Sequence, residues 1–474
     1  MSKPLKLTLY AAGAVLALAL LAGVIMLLSW RGHAKPQLQA AASDALGMEV
    51  KIDGPLVLNF FPSPAATVEQ VHIRGRGTEL VAARQARLDI ELVSLLRRQV
   101  RIPRIELRHV TLTVERSRDG RFNFEGSSPG AGAIPDIEST DVVLTDLTFV
   151  YSNRQEGTSV QAGPCDVQAS DLRITATKGA DLMKHLSFSA KVACEQIKTK
   201  VLPMTDVKFS AQCAKGVIET KNAALRAFGG HGTAAVRADF AAAVPTYRLH
   251  GVLSKFQLDE FSKNFSQKKI GEGLMEFSTD LKMSGNDADK MIASMDGEAS
   301  LHGSDLSLEV GDLDNELAHY KSTQRFNLVD LGAFLLAGPI GLAVTKGYDY
   351  AKVINSSGGS SQVPSLISEW HVEHGVAQAR DVAMTTKANR VALKGNLDFV
   401  NDSFQDVTVA VVNGKGCATV EQKVHGPFSN PDVEKPNVLI SLAGPALHLI
   451  RKASHAMGGG RCEAFYSGSL PPPQ

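Results

Sequence analysis

The stretch IELRHVTLTV, residues 105–114, decides the fold class. Ile105 and Leu107 alternate with Glu106 and Arg108, and Val110, Leu112 and Val114 alternate with Thr111 and Thr113. Successive side chains of a strand point to opposite faces, so this period describes a β-strand with one apolar and one wet face. The alternation slips by one residue at Arg108-His109, as an inserted residue, a β-bulge, makes it do. Just upstream, RLDIEL puts Leu88, Ile90 and Leu92 on one face and Arg87, Asp89 and Glu91 on the other. Asp141–Tyr151, Val207–Cys213, Met275–Met283, Ala299–Leu308 and Val391–Phe399 repeat the pattern. Val50–Phe60 reads as a strand or hairpin broken at Gly54-Pro55. Gly, Asn and Asp turns separate these strands and no βα unit recurs, which predicts antiparallel sheet and excludes a Rossmann or barrel enzyme.

Outside the strands, Leu9–Leu28 carries neither charge nor proline. At about 1.5 Å per residue a helix there crosses a ~30 Å hydrocarbon layer, so an uncleaved transmembrane anchor is expected. Lys3 and Lys6 precede it and Arg31, His33 and Lys35 follow, a near tie under the positive-inside rule. A cleaved signal peptide fits less well, because the run exceeds the usual core and lacks a small-x-small site. Lys35–Leu46 reads as a connector helix ending at Gly47. SSPGAGA (127–133) and SSGGSSQ (356–362) read as linkers. Between Asp312 and Ile354 the period turns helical. Leu331–Val344, interrupted by Gly338-Pro339, is too short for a second span and reads either as a helical hairpin capping a sheet or as an interfacial segment.

Composition narrows the function. The 474 residues carry 50 Lys+Arg against 49 Asp+Glu, a net charge of +1, which provides no broad field to recruit nucleic acid. Aromatics make up 6% and glycines number 41, a balance that fits short strands and turns better than a large enzyme core. There is no GxxxxGK, no HExxH, no strand-linked GxGxxG and no GxSxG set as a nucleophile elbow, so no enzymatic activity and no cofactor is expected. In EWHVEHG, strand alternation separates His374 from His371 and Glu373, which argues against a metal site. Glu309, Asp312, Asp314 and Glu316 lack the EF-hand spacing and read as helix-start capping. Cys165, Cys194, Cys213, Cys417 and Cys462 form no CxxC, so zinc is poorly supported. In an oxidising compartment, Cys194 with Cys213 on neighbouring strands and Cys417 with Cys462 around the last segment are the candidate disulfides, with buried thiols as the alternative. The apolar alternation exceeds what one compact core needs. It fits either a sheet curved into a lipid gutter, where an acyl chain gains about 0.8 kcal/mol per buried CH₂, or a sandwich whose apolar faces meet.

Ala45–Phe124 resembles the N-terminal signature of the AsmA-like family, in Gly54, Leu56, Leu58 and Phe61-Pro62, then Leu95-Leu96, Ile102, Ile105, Leu107, Leu112, the Arg116–Gly120 turn and Asn123-Phe124. The block from IGEGLMEFSTDLKMSG to GDLDNEL, and CATVEQKVHGPFSNPDVEKP with CEAFYSGSL, are similar to that family's C-terminal module. The resemblance implies an inner-membrane helix, a periplasmic body and a part in outer-membrane biogenesis. Longer members resemble bridge-like lipid-transfer proteins with a taco-shaped β-groove. It therefore implies an anchor at 1–34, an N-terminal β module at 35–126, a middle β region at 127–268 and a C-terminal β module at 269–470 that carries the helical insertion at 312–354.

The expected protein is mainly β, an anchored, elongated and curved antiparallel sheet. It shields or moves phospholipid between the inner membrane and a distal outer-membrane or periplasmic partner. The alternative is a scaffold for outer-membrane proteins that carries no lipid. Candidate groove residues are Leu88, Ile90, Leu92, Ile105, Leu107, Leu112, Val114, Met275, Phe277, Leu281 and Met283. Strands of roughly 12 residues stacked at ~4.8 Å would extend such a sheet to about 150 Å.

Overall fold

The computed structural model describes residues 48–59, 64–91, 102–123, 137–155, 157–175, 182–199, 202–263, 269–309, 311–315, 359–435, 437–438 and 462–473, with part of 36–43. The apolar stretch Leu9–Leu28, Leu92, both linker centres and nearly all of 312–354 lie outside the described residues. Among the described residues no helix is long and apolar enough to cross a membrane. Pro36, Gln39, Ala40, Ala42 and Ser43, within the expected connector, are helical, and Ser43 Oγ donates to the Gln39 carbonyl at 2.6 Å.

The chain divides into two compact units. The first comprises the described residues within Met1–Ala227, Thr233–Arg248 and Ser284–Asp287. Its strands are β1 (Glu49–Ile52), β2 (Leu56–Asn59), β3 (Ala65–Gly75), β4 (Thr78–Asp89), β5 (Arg104–Arg116), β6 (Ile137–Asn153), β7 (Thr158–Ile174), β8 (Leu186–Lys198), β9 (Met204–Ala214) and β10 (Val217–Ala227). A four-residue helix, α1 (Leu182–His185), leads into β8. The alternation of Val50–Phe60 is, as expected, a strand broken at Gly54-Pro55, and of the two readings it is the strand and not the hairpin. β1 and β2 both pair with β3, Val50 opposite Ile73 and Leu58 opposite Ala66, and the Gly54 amide donates to the Glu69 carbonyl between them. From β3 to β10 each strand pairs with the next, antiparallel except at one place. β5 and β6 are parallel, Ile105 opposite Val142 and Leu112 opposite Phe149. This departs from the expected all-antiparallel sheet, and the twenty-residue connection from Ser117 to Asp136 is what permits it, since parallel neighbours need a long crossover.

The phase slip in β5 is present, but it is not the inserted residue of a β-bulge: Ala83 and Gln85 stand opposite Val110 and Arg108, and Arg108 and Val110 opposite Thr145 and Leu147, one residue for one. The slip comes instead from backbone conformation. His109 has φ of 51°, Asp146 on β6 has φ 56° and Gln70 on β3 has φ 56° at the same level of the sheet, and a residue in the left-handed region turns its strand so that the alternation changes phase without a change of register. The apolar side of this sheet forms one cluster from Val50 and Ile52 through Val68, Leu88, Ile105 and Leu107 to Leu147, Cys165, Cys194 and Cys213.

The second unit holds the described residues within Phe228–Gly232, Leu249–Met283 and Ala288–Gln474. Of β11 (Gly230–Asp239) it holds only Gly230–Gly232, the rest belonging to the first unit, and of β12 (Thr246–Gln257) it holds the part from Leu249 on, followed by the short helix α2 (Leu258–Ser262). Phe228, Phe256 and Phe261 pack there edge to face, with ring centroids 5.2 to 6.3 Å apart. An antiparallel meander follows: β13 (Gly271–Ser284), β14 (Asp296–Leu308), β15 (Ser361–Glu373), β16 (Val376–Thr385), β17 (Arg390–Asp398), β18 (Ser403–Val412) and β19 (Ala418–Pro427). A second short helix of this unit, α3 (Ala288–Ala293), joins β13 to β14. The two-residue strands β20 (Asp432–Val433) and β21 (Asn437–Val438) cover the outer edge of β19. Short covered edges of this kind resist edge-to-edge association.

In β16 to β18 both faces are buried. Met384, Val391 and Val409 line one side and Ala383, Ala392 and Ala410 the other, all at 0% exposure. The reason is the C-terminal segment from Cys462, whose Tyr466 and Leu470 pack on the alanine side. Strands covered twice read as continuous apolar runs, which is why VTVAVV does not alternate.

Candidate apolar ligand-binding face

In the first unit the register sets the predicted residues in one layer. Leu88 stands opposite Ile105, Ile105 opposite Val142, Leu107 opposite Leu144, Leu112 opposite Phe149 and Val114 opposite Tyr151. Leu88, Ile90, Ile105, Leu107 and Val114 are all 5% exposed or less, and Leu112 is half-buried. These residues are the floor of the layer rather than its open surface. The accessible apolar row lies further along, on β6 to β9: Leu144, Phe149, Val167, Phe188, Val192 and Phe209 are half-buried against the same cluster. Of these strands β8 and β9 alternate through the row, with Ser189, Lys191, Lys208, Ser210 and Gln212 on the opposite face and exposed. The alternation in FSAKVAC and VKFSAQC carries that signal, yet periodicity identifies the face and says nothing of how completely a neighbour covers it.

Cysteines mark the middle of this face. Cys165 and Cys194 are direct cross-strand partners on β7 and β8, with Cα atoms 4.0 Å apart, and form a disulfide. The expected Cys194–Cys213 pairing is corrected, although β8 and β9 are neighbours: their register sets Cys194 opposite Val207 and Cys213 opposite Phe188, several residues apart along the ladder. Cys213 is a free, buried thiol whose Sγ contacts the Leu186 carbonyl at 3.5 Å. Burial pushes its pKa up to about 11. Cys417 and Cys462 are bonded to each other, with Cα atoms 6.1 Å apart.

The corresponding face in the second unit is buried over most of its extent. Met275 and Leu281 are buried at 4% and 7% exposure, with Phe277 and Met283 half-buried beside them. Phe277 stands opposite Leu301, itself buried, and Leu366, Met384, Val391, Leu393 and Val409 continue the layer at 3% exposure or less. Thr279, between Phe277 and Leu281, spends its hydroxyl on the Glu298 carbonyl at 3.1 Å. Two open clefts lie on the polar faces instead. One, of about 450 Å³, is lined by Asp141, Gln168, Ser170, Lys191 and Ser210 in the first unit. The other, of about 580 Å³, is lined by His250, Asp280, Glu298, Glu369, His371 and Arg380 in the second. Among the described residues no group of His, Cys, Asp and Glu has a metal-holding arrangement.

The chain is thus a mainly β protein whose sheets carry an apolar face, half-buried along the row Leu144 to Phe209 in the first unit and buried over most of its extent in the second. The model of the AsmA family matches residues 1–130 and 139–338, and the chain belongs to that family. No curated protein and no solved structure matches it.

Proposed function

We propose that this protein is a non-enzymatic, inner-membrane-anchored periplasmic member of its family that shields or transfers phospholipid on its apolar β-face in support of outer-membrane biogenesis. The observation that carries the reading is the half-buried row Leu144, Phe149, Val167, Phe188, Val192 and Phe209. Six large side chains in one layer, packed below and open above, offer an acyl chain a dry surface. A chain laid with about ten methylenes against it, contacted on one side only, gains roughly 4 kcal/mol at about half of 0.8 kcal/mol each. That suits a cargo held and passed on rather than bound for good. The largely buried face of the second unit favours the alternative, a scaffold for outer-membrane proteins that carries no lipid.

Quantitative lipid mass spectrometry on the full chain, extracted in a mild detergent, separates the two readings. Stoichiometric phospholipid, reduced by Phe188→Glu, is the expected result. Protein that carries no more lipid than an unrelated single-span membrane protein points to the scaffold.

A further inference from the structure

The polar side of β15 to β18 carries a recessed, chemically specific site filled by the chain's own segment Phe465–Leu470, FYSGSL. Its floor is small, since Ala383, Ala392 and Ala410 are cross-strand partners with 0% exposure, and small side chains leave depth for an aromatic ring. Two opposite charges stand in it, Asp381 at 9% exposure and Arg390 at 5%. Buried charges are retained where they are hydrogen-bonded, and these two are met by the segment. The Tyr466 hydroxyl donates to Asp381 Oδ1 at 2.6 Å, and the Ser469 amide donates to Asp381 Oδ2 at 2.7 Å. Arg390 Nη1 donates to the Leu470 carbonyl at 2.7 Å, with its guanidinium carbon 5.0 Å from the centre of the Tyr466 ring. The Leu470 amide closes the turn onto the Tyr466 hydroxyl at 3.0 Å, and the Tyr466 amide donates to the Gly416 carbonyl at 2.9 Å. Gly468 admits no side chain, because a Cβ there meets the Asp381 carboxylate.

These contacts read residue types rather than surface area. Tyrosine is selected by a hydroxyl that both donates to Asp381 and accepts from Leu470, glycine by the carboxylate against its Cα, and leucine by the apolar floor. We propose that the outer face of β15 to β18 is a peptide-recognition site for a turned Tyr-x-Gly-x-Leu segment, occupied here in cis and secured by the Cys417–Cys462 disulfide. A free peptide of that sequence, such as the same segment of a second copy, is the ligand class it takes when the cis segment is disabled.

The test uses the full chain carrying Cys462→Ser and Tyr466→Ala, which disables the occupant and leaves the site intact. A fluorescent peptide of residues 463–474 should bind it saturably and should not bind the wild-type chain. The same peptide with Tyr466→Phe or with Gly468→Val should bind at least about 10-fold more weakly, the cost of one hydrogen bond to a charged group or of a steric block. Absence of binding, or equal binding of all three peptides, overturns the proposal. Hydrogen exchange on the single variant Asp381→Asn gives an answer that does not depend on the disabled chain. Faster exchange at the Ser469 and Leu470 amides, with β17 and β18 unchanged, is expected. Unchanged exchange at those two amides, or acceleration throughout the unit, counts against recognition.

Discussion

Charge placed at two apolar positions, Phe188→Glu in the first unit and Val409→Glu in the second, separates an accessible face from a sealed one. Val409 is 0% exposed, between Leu393 and Gln422 on the neighbouring strands. A carboxylate fully buried in such a layer has its pKa raised by about 3–5 units, and at 1.36 kcal/mol per unit that costs roughly 4–7 kcal/mol. A unit of about 200 residues loses about 2–4 °C per kcal/mol, so a fall of at least 10 °C in Tm, or loss of the folded protein, is expected. Phe188 is half-buried, opposite Cys213. A carboxylate there keeps water on one side, and the cost reduces to part of the lost phenyl burial, about 1–2 kcal/mol, or a few degrees. Phospholipid bound per folded molecule should nevertheless fall at least several-fold, because an acyl chain lying on that row must desolvate the charge. Calorimetry and lipid mass spectrometry on the same preparations decide the matter. A Phe188→Glu protein that is stable and still carries wild-type amounts of lipid would refute the reasoning, as would one that unfolds as badly as Val409→Glu.

Four further outcomes follow from particular contacts. Cys213 should resist iodoacetamide at about pH 8 in the native protein and become the one cysteine alkylated after denaturation without reduction, since the other four are paired and its thiol titrates only near 11; peptide mass mapping reads this directly. Gly75→Ala should destabilise the first unit by about 1–3 kcal/mol in chemical denaturation, because its Cβ would overlap the Asn123 carbonyl oxygen on the adjoining turn. Burial first, and then the hydrogen bond to Asp381, raise the pKa of the Tyr466 phenol above its ordinary 10.0; folding there favours the protonated form, so the contribution is constant below about pH 10 and is lost as pH rises beyond it, and exchange at Leu470 should accelerate above that pH in wild type with a smaller change in Tyr466→Phe. An enzyme reporter that is active only outside the cytoplasm, fused after Ser127, should be active; an inactive fusion would overturn the expected topology.

What could be read in advance was whatever depends on local period. The alternation of Ile105 to Val114 identified β5, and its slip at Arg108-His109 located the left-handed residue His109, although the register passes that point with no extra residue, so the slip was legible and its cause was not. Register leaves no such mark. Cys194 and Cys213 sit on adjacent strands as expected, yet a pairing offset decides which residues face each other, and that offset is set by bulges and turns across the whole of β7 to β9. The parallel alignment of β5 with β6 was equally invisible, since both strands alternate as antiparallel strands do, and the direction is determined by the connection between them.

Exposure is the property that matters most for function and the one least written in periodicity. Phe188 and Met384 both belong to apolar layers, yet one is half-buried and the other 0% exposed. On the other face of β16, Ala383 is buried by Tyr466 and Leu470, more than eighty residues away in sequence. A segment so distant leaves its trace only in composition, where small alanines replace the charged residues that an outer face normally carries. The same substitution of alanine for charge separates the two units chemically. On the outer face of β8 and β9, Lys191, Lys208, Ser210 and Gln212 meet water, so in that region the apolar layer is the only one on which an acyl chain can rest. On β16 to β18 neither face is free, one being closed core and the other committed to FYSGSL, so the proposed cargo binding falls to the first unit and the proposed peptide recognition to the second.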